Sequence, residues 1–304
     1  MTEHRIILVV RHTRLDELVA RFNTRDQARF YVEHLGGDFS DYIREDQRYR
    51  QEQAAAEETL RRFGRVQVLD RSFLPNFVFG QSDTVVVLGQ DGLVVNTAKY
   101  LTGQQIVGVN PDPDRWDGIL LPFVTGDLGK MMADTVAGRR GARQVTMAMA
   151  TLNNGQRLYA VNDLFIGPRS HTSARYEIRV GKSAERQSSS GIIVSTGVGS
   201  TGWLRSLLAG ARAIATGTAG AVESAFPWDA DYLVYTVREP FPSKTTGAGL
   251  VHGRVSGQAP LVLRSLMPEN GVIFSDGMET DYLEFNSGTE ATVSVADKRA
   301  NIVV

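Results

Sequence analysis

The chain has 304 residues, 42% of them apolar and 22% charged, with a formal net charge of −1 at pH 7 and no cysteine. Length and composition suit a water-soluble protein with room for two cores. They exclude disulfides, thiolate metal sites and a cysteine nucleophile, and the near-zero charge offers no broad basic face for nucleic acid. Apolar runs are too short for a helical membrane span. The N-terminus passes directly into Arg5-Ile6-Ile7-Leu8-Val9-Val10, a strand rather than a secretion signal. The expectation is a cytoplasmic protein with neither membrane nor nucleic-acid partners.

Ile6 to Val10 is continuously apolar, as strands buried on both faces of a parallel sheet are. Thr24-Arg25-Asp26-Gln27 has the form of a capping box, with Gln27 reaching back to Thr24. Ala28, Tyr31, Val32 and Leu35 follow at helical spacing, and Gly36-Gly37 ends that helix. A second helix is predicted from about Ser40 to Phe63. Its middle, Arg44 to Arg50, mixes both charge signs, as a solvated face or a partner surface would. A short strand, Val66 to Leu69, precedes the aromatic stretch Arg71 to Phe79, which fits loop packing or a ligand platform. Thr84 to Leu88 and Ile106 to Val109 are two more buried strands. Strands alternating with helices predict an α/β domain with a parallel, doubly wound sheet over residues 1–142.

The stretch Thr84-Val85-Val86-Val87-Leu88-Gly89-Gln90-Asp91-Gly92-Leu93 carries the first candidate site. A buried strand ends at Gly89, and a helix is expected to begin at Asn96 to Leu101. Ligands bind at the carboxyl ends of parallel strands, where glycines and a helix N-terminus receive phosphate. Asp91 would stand beside that phosphate, able to accept a hydroxyl proton or orient a metal ion. The Asp91-Gly92 pair also fits a type I′ hairpin with no chemistry attached. Downstream, the loop Asn110 to Gly118 contains Asp112, Asp114 and Asp117. It reads as a proline-punctuated turn, with a cation site as the alternative.

From Arg143 onward short strands separated by turns predict a β-rich domain over residues 143–304. They are Val145 to Ala150, Leu158 to Ile166, Tyr176 to Val180, Gly191 to Thr196, Tyr232 to Val237, Leu261 to Leu266, Val272 to Phe274, Tyr282 to Phe285 and Ala291 to Val295. The last of these could pack back on the first domain. Ser195-Thr196-Gly197-Val198-Gly199-Ser200-Thr201-Gly202-Trp203 interrupts the series as a strand-to-helix turn, its helix running to about Ile214. Small residues there permit close approach of a nucleotide, or they form a capped helix start. It is not the Gly-x-Ser-x-Gly elbow of a hydrolase. The five histidines form no metal pair at helical spacing.

Together these stretches resemble the NAD kinase family. That family has Gly-Gly-Asp-Gly-Thr after a strand, an Asn-Glu or Asn-Asp pair opening a β-rich domain, then Ser-Thr-Pro-Thr-Gly-Ser-Thr-Ala-Tyr, and a late Asp-Gly. The corresponding stretches are Gly89 to Leu93, Asn162-Asp163, Ser190 to Trp203 (the family has Asp-Gly and a short apolar strand ahead of its Ser-Thr run) and Ser275-Asp276-Gly277, in the same order. The resemblance implies an NAD kinase-like fold, ATP and Mg²⁺, small nucleotide substrates and a homo-oligomer assembled through the β-rich domain. It implies that Asp91 activates the 2′-hydroxyl of NAD for attack on the γ-phosphate. Gly89, Gln90, Gly92 and Ser200 would lie along the phosphates. Asn162 and Asp163 would hold the acceptor nucleotide, with Thr201, Gly202 and Trp203 forming its wall.

The chain departs from the family pattern at named positions. Gln90 stands for glycine, Leu93 for threonine, Ser190 for aspartate, Gly197 for proline, Val198 for a hydroxyl residue and Trp203 for tyrosine. The family's Pro-His-Ser-Leu stretch is replaced by Val237 to Lys244. These changes fall on substrate contacts, so two alternatives accompany NAD phosphorylation. One is a kinase of another hydroxyl acceptor (a sugar, nucleoside or lipid), and the other is a non-catalytic nucleotide-binding regulator.

Overall fold

The computed structural model describes residues 4–218 and 220–304. The chain forms two compact units, residues 1–143 with 301–304 and residues 144–300.

The first unit is α/β. Its elements are β1 (Arg5–Val10), α1 (Arg14–Phe22), α2 (Arg25–His34), α3 (Phe39–Leu60), β2 (Arg65–Asp70), β3 (Thr84–Leu88), α4 (Asp91–Ala98), β4 (Gln105–Asn110), β5 (Phe123–Val124) and α5 (Leu128–Val136). The sheet order is β2-β1-β3-β4, all parallel, with β5 also parallel to β4. The chain leaves β1 for β2 on one side and continues to β3 on the other. The sheet is thus doubly wound, with its switch point between β1 and β3, where ligands of such sheets bind. One face packs Ile6, Leu8, Val86, Leu88, Val107 and Val109 against Tyr49, Ala56 and Leu60 of α3 and Leu128, Met131 and Met132 of α5.

Several predicted elements change in detail. Thr24 receives the Gln27 N–H (3.2 Å), but the reciprocal half of that capping box does not form. The full box belongs to Thr13 and Asp16 at the start of α1, a helix the periodicity reading missed. The aromatic stretch Arg71–Asn76 is a 3-10 turn with Leu74 buried and Phe73 exposed, followed by an edge-to-face Phe77–Phe79 pair. Asp91-Gly92 is not a hairpin. It opens α4, which runs to Ala98, so that Asn96, where the sequence placed the helix start, lies in its last turn. Leu93, Val94 and Val95, which the sequence reading left between strand and helix, are buried residues of this helix.

The second unit is a sandwich of two antiparallel sheets. Its strands are β6 (Ala142–Leu152), β7 (Arg157–Ala160), β8 (Asp163–Pro168), β9 (Ala174–Val180), β10 (Ser183–Ser189), β11 (Ile192–Ser195), β12 (Tyr232–Val237), β13 (His252–Ser256), β14 (Leu261–Ser265), β15 (Gly271–Ser275), β16 (Met278–Glu284) and β17 (Glu290–Val303), with one helix, α6 (Trp203–Thr216), after β11. One sheet runs β10-β9-β14-β17, with β6 beside β17 and β7 beside β6; the other runs β13-β12-β11-β8-β15-β16. Leu164, Ile166, Ile192, Val194 and Ile273 of the second sheet pack with Ala148, Tyr176, Ile178, Leu263 and Val293 of the first. The end of β17 belongs to the first unit, where Asn301 and Ile302 lie parallel to Gln105 and Ile106 of β4. No helix among the described residues is long and apolar enough to cross a membrane.

Candidate functional site

In the first unit, β3 delivers Gly89, Gln90, Asp91 and Gly92 to the carboxyl edge of the sheet. Gly89 donates its N–H to the Val109 carbonyl (3.1 Å). A Cβ at Gly89 would stand 2.9 Å from Leu93 Cδ2, so Leu93 seals the space beneath this turn. Gln90 is the N-cap of α4 with φ −115° and ψ 164°, an extended backbone that any residue adopts. The side chain at this position therefore strains nothing. Gly92 faces open space, with no atom within 4 Å of where a Cβ would be.

Asp91 occupies the first helical position, where the macrodipole favours a carboxylate. Both of its oxygens are engaged by backbone. Leu120 N–H donates to Oδ1 (2.7 Å) and Ile119 N–H to Oδ2 (3.1 Å). Each carboxylate oxygen retains a further lone-pair site. A carboxylate so held keeps one direction and can still accept a proton.

The aspartates of the preceding loop do not converge. Asp112 faces Arg115 (3.4 Å), and Asn110 closes the turn by bonding the Asp112 N–H (3.0 Å) and the Trp116 carbonyl (2.8 Å). The turn reading therefore holds over the cation reading. Among the described residues no group of three His, Cys, Asp or Glu side chains is placed to hold a metal ion.

In the second unit, the predicted strand from Leu158 to Ile166 is broken at Val161-Asn162, and the cause is Asp276. This residue and Gly277 both have positive φ (56° and 72°) and form the two-residue turn between β15 and β16. The Asp276 Oδ1 accepts the N–H groups of Asn162 (2.7 Å), Val161 (3.1 Å) and Asp163 (3.2 Å). Its own N–H donates to the Asp163 carbonyl (2.9 Å). The sequence marked Asp276-Gly277 as a motif but not as a clamp, because its target lies over a hundred positions earlier.

Asp163 accepts a hydrogen bond from Ser195 Oγ. Burial pushes its carboxyl up to about 7, and the nearby Asp276 adds to the rise, while the Ser195 bond opposes it. Gly199 brings the strand-to-helix turn against this pair. A Cβ there would stand 2.2 Å from the Asn162 carbonyl oxygen and 2.8 Å from Asp163 Oδ1. At Gly197 a Cβ would stand 2.0 Å from the Pro227 carbonyl oxygen. That crossing segment requires glycine where the family has proline.

The remaining predicted residues divide by exposure. Ser200 is fully buried and donates its hydroxyl to the Gly197 carbonyl (2.6 Å), so its hydrogen is directed inward. Thr201 and Gly202 are exposed, and Trp203 opens α6. The Trp203 indole stacks on Phe165 (5.9 Å between centroids), which stacks on Phe274 (4.8 Å), and the Arg238 guanidinium lies 5.6 Å from the indole. The structure thus brings Asn162, Asp163, Ser195 and Gly199 together, with Asp276 as the member that sequence reasoning did not place there.

No family model and no curated relative matches the sequence. Among solved structures, the chain is similar to an NAD kinase from Archaeoglobus fulgidus in complex with ATP, at 18% identity and a TM-score of 0.59, over 99% of this chain and 93% of that one. It is also similar to yeast NADH kinase complexed with NADH, at 14% identity and a TM-score of 0.60, over 100% of this chain and 84% of that one. The likeness extends over the residues of both units. By its fold, the chain is NAD kinase-like.

Proposed function

We propose that the protein is a kinase that transfers the γ-phosphoryl group of ATP to the 2′-hydroxyl of NAD, giving NADP and ADP. The observation that carries this reading is the Asp91 carboxylate, held at the β1/β3 switch point by the Ile119 and Leu120 N–H groups and flanked by the open Gly92. Asp91 accepts the proton of the acceptor hydroxyl as its oxygen attacks the γ-phosphorus. Gly89, Gln90 and Gly92 leave backbone within reach of the phosphates, and the start of α4 adds its positive end. The donor set fits Mg²⁺ that arrives as the MgATP substrate, since Mg²⁺ keeps waters and is commonly held by phosphates with one or two carboxylates. That ion would neutralise charge on the transferring phosphoryl group.

Asn162, Asp163, Thr201, Gly202 and Trp203 form the acceptor side in this reading, and Ser200 shapes the turn beneath them. The test is NADP formation from NAD and MgATP by wild type and Asp91→Asn side by side. A positioned base contributes about 10²–10⁴-fold, so the variant is expected to lose at least about 10²-fold while its thermal midpoint stays near that of wild type. Product formation that survives the substitution would remove Asp91 as the base.

One observation favours a second reading, a kinase of another hydroxyl acceptor. Asp163 turns its carboxyl to Ser195, and its raised pKa leaves it substantially protonated at neutral pH. A folded wild type that forms no NADP but phosphorylates a sugar, nucleoside or lipid hydroxyl would select this alternative. Nucleotide binding without any turnover would select the regulator.

A further inference from the structure

The loop that supplies two N–H groups to Asp91 is tied down at its other end. Residues 111–122 join β4 to β5. Arg115, near the middle of this loop, grips Asp41 with both terminal nitrogens (Nη2 to Oδ1 2.6 Å, Nη1 to Oδ2 2.9 Å). Asp41 lies in the first turn of α3 and also receives Arg14 (2.7 Å). Arg14 in turn bonds Glu45 (2.9 Å), a buried carboxylate that also binds Arg11 (2.7 Å). The Arg115 side of the loop is therefore rooted through Asp41 in a charge network whose innermost member, Glu45, is buried and paired by both Arg11 and Arg14. The hydrogen bonds from Arg115 and then Arg14 hold the Asp41 carboxyl well below the usual carboxylate range. Its charge persists through neutral and mildly acidic pH.

The near end of the loop faces Asp91. Gly118, at φ +65°, turns the chain, and Leu120 and Leu121 bury their side chains beneath it. Ile119 is 64% exposed, so its side chain contributes little to fixing its N–H. The segment from Arg115 to Gly118 leads into that donor, and besides the Arg115 pair it is tied by Asn110 to the Trp116 carbonyl (2.8 Å).

We propose that Asp41 and Arg115 are positioning residues for Asp91. Their bidentate pair fixes the loop so that the Ile119 and Leu120 N–H groups meet both carboxylate oxygens and set the direction of the remaining lone pairs. This inference rests on the reading of Asp91 as the base. A bidentate guanidinium–carboxylate pair supplies orientation as well as attraction, which a single point charge does not. Misplacing a reacting group by about 1 Å can cost about 10²-fold in rate.

The test combines kinetics with amide exchange, using Arg115→Ala, Arg115→Lys and Asp41→Asn. For Arg115→Ala, kcat for NADP formation is expected to fall about tenfold or more, with KM for NAD and MgATP within about threefold. Arg115→Lys should recover part of that loss with a wild-type thermal midpoint. In an Asp91→Asn background, Arg115→Ala should cost less than about twofold more, because the residue it acts through is already gone. An equal further loss in that background, or a raised KM with unchanged kcat, would overturn the positioning role. Hydrogen exchange at Ile119 and Leu120 provides a readout independent of activity, and it is expected to quicken in Arg115→Ala. Unchanged exchange would sink the clamp even in an active enzyme. Faster exchange in a protein that makes no NADP keeps the clamp and overturns only NAD as the acceptor.

Discussion

Asp163 shows how one side chain can couple the site to pH. Its carboxyl titrates near 3.9 in an unfolded chain and is raised to about 7 in the folded one. Between those values the folded protein holds a proton that the unfolded chain has released. This group's stabilising contribution is therefore complete below about pH 4 and declines as pH rises towards 7, with a limiting slope of about 1.4 kcal/mol per pH unit. Asp163→Asn should remove that decline. The difference in urea midpoint between wild type and variant should change across pH 4 to 7 and flatten above about pH 8; a constant difference would show an unshifted carboxyl. Gly199 sets a steric limit at the same place. Gly199→Ala should destabilise by at least about 1–3 kcal/mol, because its methyl group meets the Asn162 backbone carbonyl rather than a movable side chain. Urea unfolding reads that loss directly.

Among the elements, α3 does more than cover the sheet. The sequence presents a helix of mixed charge, and Arg44 and Arg48 pair along its exposed face while Arg61 and Arg62, just past its end, pair back to Glu57 and Glu58. Its inner stripe is different. Tyr49 donates its hydroxyl to the Leu88 carbonyl at the end of β3 (2.9 Å) and accepts the Arg11 N–H just past β1 (3.0 Å). One buried phenol thus joins the two strand ends that flank the switch point. Tyr49→Phe keeps the ring and removes this bridge. Its expected cost is about 1–3 kcal/mol, because buried backbone groups lose a partner. A urea midpoint unchanged from wild type would show that water replaces the hydroxyl.

For the molecule as a whole, the path of β17 matters most. Its earlier residues complete the sandwich beside β14, while Asn301 to Val303 add to the parallel sheet beside β4 and bury Ile302 and Val303. Removing residues 301–304 should therefore weaken the first unit, although they are the most distant in sequence from its other strands. The expected outcome is faster proteolysis within residues 4–143 and a lowered thermal midpoint. A truncated chain as resistant as the full one would show that β4 needs no partner on that edge.

The sequence by itself determined the α/β then β-rich order and most of the buried strands, but not α1, α5, β10 or β13, because it reads only strong local patterns. A continuous apolar run makes a buried strand, and small residues before a helical period make a turn. Asp91 and Ser195 to Trp203 stood out for that reason, whereas Asn162 and Asp163 were singled out only by the family resemblance. Tertiary structure decided where α4 begins, since Leu93 to Val95 are apolar in either a strand or a helix and only packing against β3 and β4 separates the two. It also decided which partners the charged groups take. Asp276 with the Val161 to Asp163 amides, Arg115 with Asp41, and the Ile119 and Leu120 amides with Asp91 each join residues 28 or more positions apart. Hydrogen bonding acts over about 3 Å, and nothing in local spacing records which distant backbone groups the fold will carry to that distance.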